Sequence, residues 1–263
     1  MLPPAMIAAA SRSVPVSTLS LPALPFELSR YEMNFNDEAA DFDRNHLNNA
    51  WALGRIEHER SPFLEPVVAQ KMVDLYHDRR GISWSHGGYL EDRTELWRGG
   101  YLKEPVIHGG IDVTLPAGTV VRCMRDGTVV WVDDDKNPDG GWGPYMVVRT
   151  KNDAGAIEYV LYGHLGNMFV QVGDEVSRGG VIADIGSPPH NGGWWSHLHL
   201  QCIAQEYYEW CCDNDINKTL DGYFPCSQLD LFRVRFPDPS ALLWDATDDV
   251  AGGSVRSGLG MAQ

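Results

Sequence analysis

His108-Gly-Gly-Ile-Asp112 opens, and His197-Leu-His199 closes, the span from Val106 to Cys202 around which this chain is organised. In the first stretch two glycines follow the histidine, so an imidazole and a carboxylate can turn toward one ion while the backbone bends tightly between them. In the second, a strand over Trp195 to Cys202 puts both imidazoles on one face and Leu198 and Leu200 on the other, because strand side chains alternate. A further imidazole, His164, stands in Tyr162-Gly-His164-Leu165, at the end of the strand-like run Glu158-Tyr-Val-Leu-Tyr162. An isolated His-x-His is as often a satisfied structural pair as a ligand set. In one β-rich span, however, the pieces read as parts of a single zinc site.

Between these ends the chain alternates short apolar runs with glycine turns. Thr119 through Asp126-Gly127 to Val132 reads as two strands joined by a tight turn. Asn137-Pro-Asp-Gly-Gly-Trp-Gly-Pro144 reads as a long loop. Tyr145 to Arg149 and Tyr159 to Tyr162 read as a hairpin leading to His164. The pattern predicts a mainly β chain, an antiparallel β sandwich or open barrel with its site at strand ends.

Taken in order, HxxxD, YGHL, Val172-Gly-Asp-Glu-Val176, Gly180-Val-Ile182, Asp184-Ile-Gly186 and HLH resemble a lysostaphin/LytM-type zinc metallopeptidase domain over roughly residues 106 to 203. The resemblance implies the LytM (duplicated hybrid motif) form of the sandwich. It also implies Zn2+ held by His108, Asp112 and His199, with His164 and His197 as catalytic histidines. Three protein ligands leave zinc's fourth position open to water or substrate, the mark of a catalytic site. The two histidines would move the water's proton or stabilise an oxyanion.

The loop before HLH departs from the small-residue form of secreted wall hydrolases: it is Ser187-Pro-Pro-His-Asn-Gly-Gly-Trp-Trp-Ser196. Asn191-Gly-Gly-Trp194 is more similar to the intracellular version of this domain, fused to a kinase-like module and a class-III aminotransferase. Tyr89-Leu-Glu-Asp-Arg93 and Phe236-Pro-Asp-Pro239 extend that resemblance over roughly residues 85 to 243. On this reading Trp194 and Trp195 form a wall of the cleft or fill the core. Arg93 anchors a substrate carboxylate or phosphate, or is a structural ion-pair partner. His86, in Trp84-Ser-His-Gly-Gly-Tyr89, belongs to a loop able to cover the cleft, whereas His190 is a solvated loop residue.

Around the span, residues 1–28 read as a disordered or draped tail and 29–104 as a helical N-terminal extension. Residues 105–205 form the zinc catalytic domain, 206–245 a C-terminal packing segment and 246–263 a flexible tail. In the extension, Ser61-Pro62 signals a helix start, Leu64, Val67, Val68, Met72, Leu75 and Tyr76 recur at helical spacing, and Asp78-Arg-Arg-Gly81 gives an end. His46, His58 and His77 are read as surface or cap residues.

The formal net charge is −15, from 21 Lys and Arg against 36 Asp and Glu. It argues against general nucleic-acid binding and against a charge-held membrane protein. No stretch approaches the ~20 apolar residues of a membrane span. Cys123, Cys202, Cys211, Cys212 and Cys226 cannot all pair within one chain, which fits a reducing, cytoplasmic setting, with export by a degenerate N-terminal signal as the alternative. Asn217-Lys-Thr219 matches a glycosylation acceptor by composition alone.

The first functional reading is a zinc hydrolase in which activated water attacks a peptide or amide carbonyl. The second is a zinc-dependent lyase, cyclase or hydrolase acting on a small amino-acid-derived metabolite. The third is a non-catalytic binding module with a degenerate site.

Overall fold

The computed structural model describes residues 33–35, 61–100, 104–137, 140–214 and 222–243. The tails 1–28 and 246–263, His46, His58 and Asn217-Lys-Thr219 lie outside the described residues. The strands are β1 (Ser85–Gly87), β2 (Val106–His108), β3 (Ile111–Thr114), β4 (Val120–Arg122), β5 (Gly127–Asp135), β6 (Gly143–Lys151), β7 (Ile157–Gly163), β8 (Leu165–Met168), β9 (Glu175–Val176), β10 (Val181–Ile185), β11 (His197–Ala204) and β12 (Tyr223–Pro225). Among the described residues the complete α-helices are α1 (Pro66–Arg80), α2 (Gln205–Asp213) and α3 (Leu229–Arg235).

Seven strands form one sheet in the order β1-β3-β11-β7-β6-β5-β9, three form a second in the order β4-β10-β8, and β12 pairs with β2. The ladders are antiparallel. In β6 and β7 the runs Tyr145-Met-Val-Val148 and Tyr159-Val-Leu-Tyr162 are apolar at every position, and both are buried throughout. Such runs mark strands covered on both faces. One face, with Met146, Val148, Val160, Tyr162, Leu198 and Leu200, packs on Val121, Leu165, Ile182 and Ile185 of the smaller sheet. The other, with Tyr145, Val147, Tyr159, Leu161 and Ile203, is covered by Tyr208 and Cys211 of α2, Phe232 of α3 and Phe236.

The segment Thr119 to Val132 is not a hairpin. β4 pairs with β10, whereas β5 pairs with β6 and β9, so Cys123 to Asp126 crosses between sheets. Its partners are distant in sequence: Met124 N donates to Tyr162 Oη at 3.0 Å, and Arg125 bonds Glu158 and Asp153, each at 3.0 Å. Local turn chemistry cannot register such contacts. All five thiols are free, with Cys123, Cys202 and Cys211 buried.

Upstream, Ser61 caps a short 3-10 turn, Pro62–Leu64, and α1 starts only at Pro66. Its buried residues are Ala69, Met72, Val73 and Tyr76, while Val67 and Leu75 face outward. The helix ends where the sequence places it, at Gly81, which is left-handed with φ 61°. The 29–104 stretch also supplies β1, the edge of the large sheet, so its described part is not wholly helical.

Residues 90–93 run beside β2. Leu90 N and His108 O bond at 2.9 Å, as do His108 N with Glu91 O and Arg93 N with Val106 O. β12 lines the other side of β2. The two outlying stretches singled out in the sequence meet directly, Tyr89 Oη donating to Phe236 O at 2.6 Å. Among the described residues no helix is long and apolar enough to cross a membrane.

Gly192 and Gly193 both have positive φ, 86° and 85°. A Cβ on Gly192 would also strike the Gly141 carbonyl, whereas one on Gly193 meets nothing within 4 Å. Gly193→Ala is therefore expected to lower Tm by about 2–6 °C from backbone strain alone. Gly192→Ala should lower it at least about twice as far, as read by thermal unfolding.

Candidate metal centre

The histidine of β2 and the aspartate of β3 belong to different sheets, joined only by Gly109-Gly110. Both glycines are required by close approach. A Cβ on Gly109 would sit 2.5 Å from Phe232 Cζ, and one on Gly110 would sit 2.5 Å from His199 Nε2 and from Leu200 O. Across the sheet, His199 on β11 is in register with Asp112 on one side and Gly163 on the other. His197, His199 and Gln201 share one face of β11, and Leu198, Leu200 and Cys202 enter the core behind it.

The side chains converge on one point. His199 Nδ1 stands 2.9 Å from Asp112 Oδ1 and 3.1 Å from His108 Nε2. His108 Nε2 lies 3.3 Å from the same oxygen, and His197 Nε2 lies 3.5 Å from it. All four residues are buried.

The outer ring nitrogens assign the tautomers. His199 Nε2 donates to Gln201 Oε1 at 2.9 Å, and His197 Nδ1 donates to Trp195 O at 2.8 Å. His164 Nδ1 donates to Asn191 O at 3.0 Å. His108 Nδ1 has Gly88 O at 3.3 Å as acceptor. Arg93 Nη2 is equally close and has a second N–H besides the one on Glu91 Oε2 at 2.8 Å, so both a donor and an acceptor face that ring nitrogen. In the rings of His199, His197 and His164 the second nitrogen is left bare.

Electrostatics agree with these assignments. Burial pulls the His108 and His197 imidazoles down to about 4, against the attraction of Asp112. Burial, with His197 and His199 adding to it, holds His164 well below the histidine range. Burial works against the Asp112 charge, but His108, His197 and Arg93 overcome it and hold the carboxyl well below the carboxylate range. With His108, His164 and His197 neutral at pH 7, the Arg93 guanidinium is a permanent cation beside Asp112. Its Nη1 donates to Asp112 Oδ2 at 3.1 Å, its Nε donates to Glu91 Oε2 at 2.8 Å, and it is wholly buried.

This donor set fits zinc. The ligating atoms of His108, Asp112 and His199 all lie within 4.8 Å of one another. Tetrahedral ligands at zinc's usual bond lengths stand about 3.3 Å apart, against separations here of 2.9, 3.1 and 3.3 Å. Bare nitrogens and a carboxylate oxygen this close repel one another unless a cation or a proton lies between them. Metal ligands must be deprotonated, as the Asp112 carboxylate and the His108 imidazole are.

Residues 106–208 match the family model of peptidase family M23. The chain is 34% identical over 149 residues to the DD-carboxypeptidase/endopeptidase Mpg of Neisseria meningitidis, covering 56% of this chain and 28% of that protein. It is 30% identical over 104 residues to the glycyl-glycine endopeptidase ALE-1 of Staphylococcus capitis, covering 38% of this chain and 25% of that protein. Among solved structures it is similar to the antimicrobial peptidase lysostaphin from Staphylococcus simulans. There the identity is 25% and the TM-score 0.37, over 59% of this chain and 51% of that one. The chain thus spans about a quarter of the length of these curated relatives.

Within the M23-matched span, His164 follows β7 in a left-handed conformation with φ 61°. Its backbone is tied at both ends, N to Trp142 O at 2.9 Å and O to Gly186 N at 3.0 Å. Its ring stacks on Trp142, with centroids 5.6 Å apart, and lies 4.4 Å from the His197 ring. A cleft of about 220 Å³ reaches His164 and His199 between Trp142, Trp194, Tyr223 and Asp135.

Three candidate substrate residues are placed elsewhere. Arg93 is wholly buried, its guanidinium on Asp112 and Glu91, and does not line the cleft, so it stands as a structural ion-pair partner. Trp195 is fully buried and stacks on His197 at 4.5 Å, with Nε1 donating to Thr114 Oγ1 at 3.3 Å, so it backs the site rather than lining the cleft. His86 is not in a loop over the cleft but in edge strand β1, paired with Val113. Trp194 does line the cleft, with Nε1 donating to Gly141 O at 3.0 Å.

Trp142, Tyr223, Glu91 and Gln201 went unnoticed in the sequence. Only Gln201 had a signal, its position two residues after His199 on the same strand face. Arg93→Met would leave two buried carboxylates without a cation, a loss of about 3–5 kcal/mol that differential scanning calorimetry should read as a sharply lower Tm. Arg93→Lys keeps the charge but not the forked geometry. It is expected to fold and to bind zinc about 10–100-fold more weakly in a chelator competition titration.

Proposed function

We propose that this chain contains a zinc-dependent peptidase domain of the M23 type that hydrolyses amide bonds between small residues. The observation that carries the reading is the convergence of His108 Nε2, His199 Nδ1 and Asp112 Oδ1 within 3.3 Å of one another in a buried site, with the outer nitrogen of His199 on Gln201 and that of His197 on Trp195.

Zinc would be held by His108, Asp112 and His199, and would supply Lewis acidity toward a carbonyl and toward water. His164 and His197 carry the proton work. Neutral, with Nε2 bare and rings 4.4 Å apart, they can accept a proton from water and return it to a leaving amine. Protonated, either ring stabilises negative charge developing on the attacked carbonyl oxygen. Asn191 holds His164 in orientation and also fixes the loop, its Nδ2 bonding Trp194 O at 3.0 Å and Trp195 O at 3.2 Å.

The shape of the cleft supports small residues at the scissile bond. Its roughly 220 Å³ lies below the roughly 300–1,000 Å³ of drug-sized sites, and Gly140, Gly141 and Gly222 stand among aromatic walls. The printed activities of the relatives, a glycyl-glycine endopeptidase and a DD-carboxypeptidase/endopeptidase, are consistent with that choice.

The zinc-loaded protein is expected to cleave glycine-rich or D-alanine cross-bridge peptides. Conversion of small amino-acid-derived metabolites alone, with those peptides inert, would move the assignment to the metabolite reading prompted by the Asn191-Gly-Gly-Trp194 loop. His199→Ala should lose stoichiometric zinc and turnover together, and activity in that zinc-free variant would overturn the proposal. His164→Gln should retain zinc by elemental analysis while kcat falls at least about 100-fold.

A further inference from the structure

Residues 33–35 precede the M23-matched span by a long stretch of chain, yet they lie against the metal centre. Met33 N donates to His86 O at 2.8 Å, along the outer edge of β1. Phe35 N donates to Glu91 Oε1 at 2.5 Å. The Phe35 ring faces the Arg93 guanidinium, whose Cζ is 4.5 Å from the ring centroid, and lies 5.0 Å from the ring of Trp195. Met33 and Phe35 are buried as fully as any core residue. Gly87 makes room for this arrangement, because a Cβ there would collide with the Phe35 ring and sit 2.6 Å from Arg93 Nη2.

Two contact routes lead from Phe35 into the site. Its N–H serves Glu91 Oε1, while Glu91 Oε2 grips Arg93 and Arg93 grips Asp112. Its ring packs on Trp195, which stacks on His197 and, through its carbonyl, fixes that ring's tautomer. Removing the ring would open the buried face of Arg93 to water, which would screen its hold on Asp112 and forfeit a cation–π contact. Displacing the backbone would leave a carboxylate oxygen of Glu91 short of a donor inside the protein, a costly loss.

We propose that Met33 to Phe35 form a clip that belongs to the metal centre, with Phe35 as a positioning residue for Asp112 and His197. The clip rests on the assignment of His108, Asp112 and His199 as metal ligands. The support of the centre then extends beyond the M23-matched span to residues far upstream.

The test uses the full chain and compares Phe35→Ala with Phe63→Ala. Phe63 is equally buried and packs edge-on against Phe35 and Trp195, at 5.5 and 5.3 Å, so its removal opens the same aromatic cluster. Zinc affinity is read by chelator competition, and Tm is read alongside it. Phe35→Ala is expected to raise the zinc Kd at least about 10-fold, and Phe63→Ala less than about 3-fold at a comparable loss of Tm. Phe35→Leu, which keeps the backbone donor and most of the volume, is expected to fall between wild type and Phe35→Ala. Equal weakening by Phe35→Ala and Phe63→Ala would overturn the clip in favour of general loosening. If Phe35→Ala does not fold, a Phe35→Leu Kd no weaker than that of Phe63→Ala would overturn it too. A wild-type chain that binds no zinc would instead refute the metal assignment.

Discussion

Asp112 bears a negative charge where it is 1% exposed, and much of the architecture around it follows from what that charge requires. A carboxylate so placed must be paired and hydrogen-bonded or it would take up a proton. One oxygen is bound by Arg93, itself held by Glu91. The other faces ring nitrogens of His108, His197 and His199, a grouping that a divalent cation would complete. The arginine brings residues 90–93 alongside β2, and its aromatic cover brings in Phe35.

Burial has a second consequence here. It keeps His108, His164 and His197 neutral, the protonation state that metal ligation by the first and proton transfer by the other two need. The orientation of these rings and of His199 comes from carbonyl and amide oxygens of Gly88 after β1, Asn191 and Trp195 in the loop before β11, and Gln201 on β11 itself. Such outer partners set which nitrogen is bare and how each ring is turned. The chemistry therefore depends as much on these oxygen acceptors as on the histidines themselves.

The central strands β6, β7 and β11 are buried on both sides, and this divides the labour of the fold. On β11 alternate residues serve different ends, Leu198, Leu200 and Cys202 packing against the smaller sheet while His197, His199 and Gln201 face the site. A one-residue slip in register would exchange the two sets. The Gly109-Gly110 turn joins two sheets at a contact too tight for any side chain. Rigidity of the core and placement of the ligands are thus one constraint.

The order and spacing of HxxxD, YGHL and HLH, with apolar alternation around them, determined a β-rich chain and the set of histidines and aspartate that meets at the centre. Spacing along a strand translates directly into a shared face, so those signals are local. The roles of Arg93, Trp195 and His86 were not local, since a cation, a ring and a strand edge look alike in sequence whether they meet substrate or core. Tertiary structure alone decided that Arg93 supports Asp112, that Trp195 backs His197, and that the chain after β4 crosses to the other sheet. Each depends on contacts between residues far apart in the chain, such as Phe35 with Glu91 and Arg125 with Glu158, whose formation no local pattern encodes.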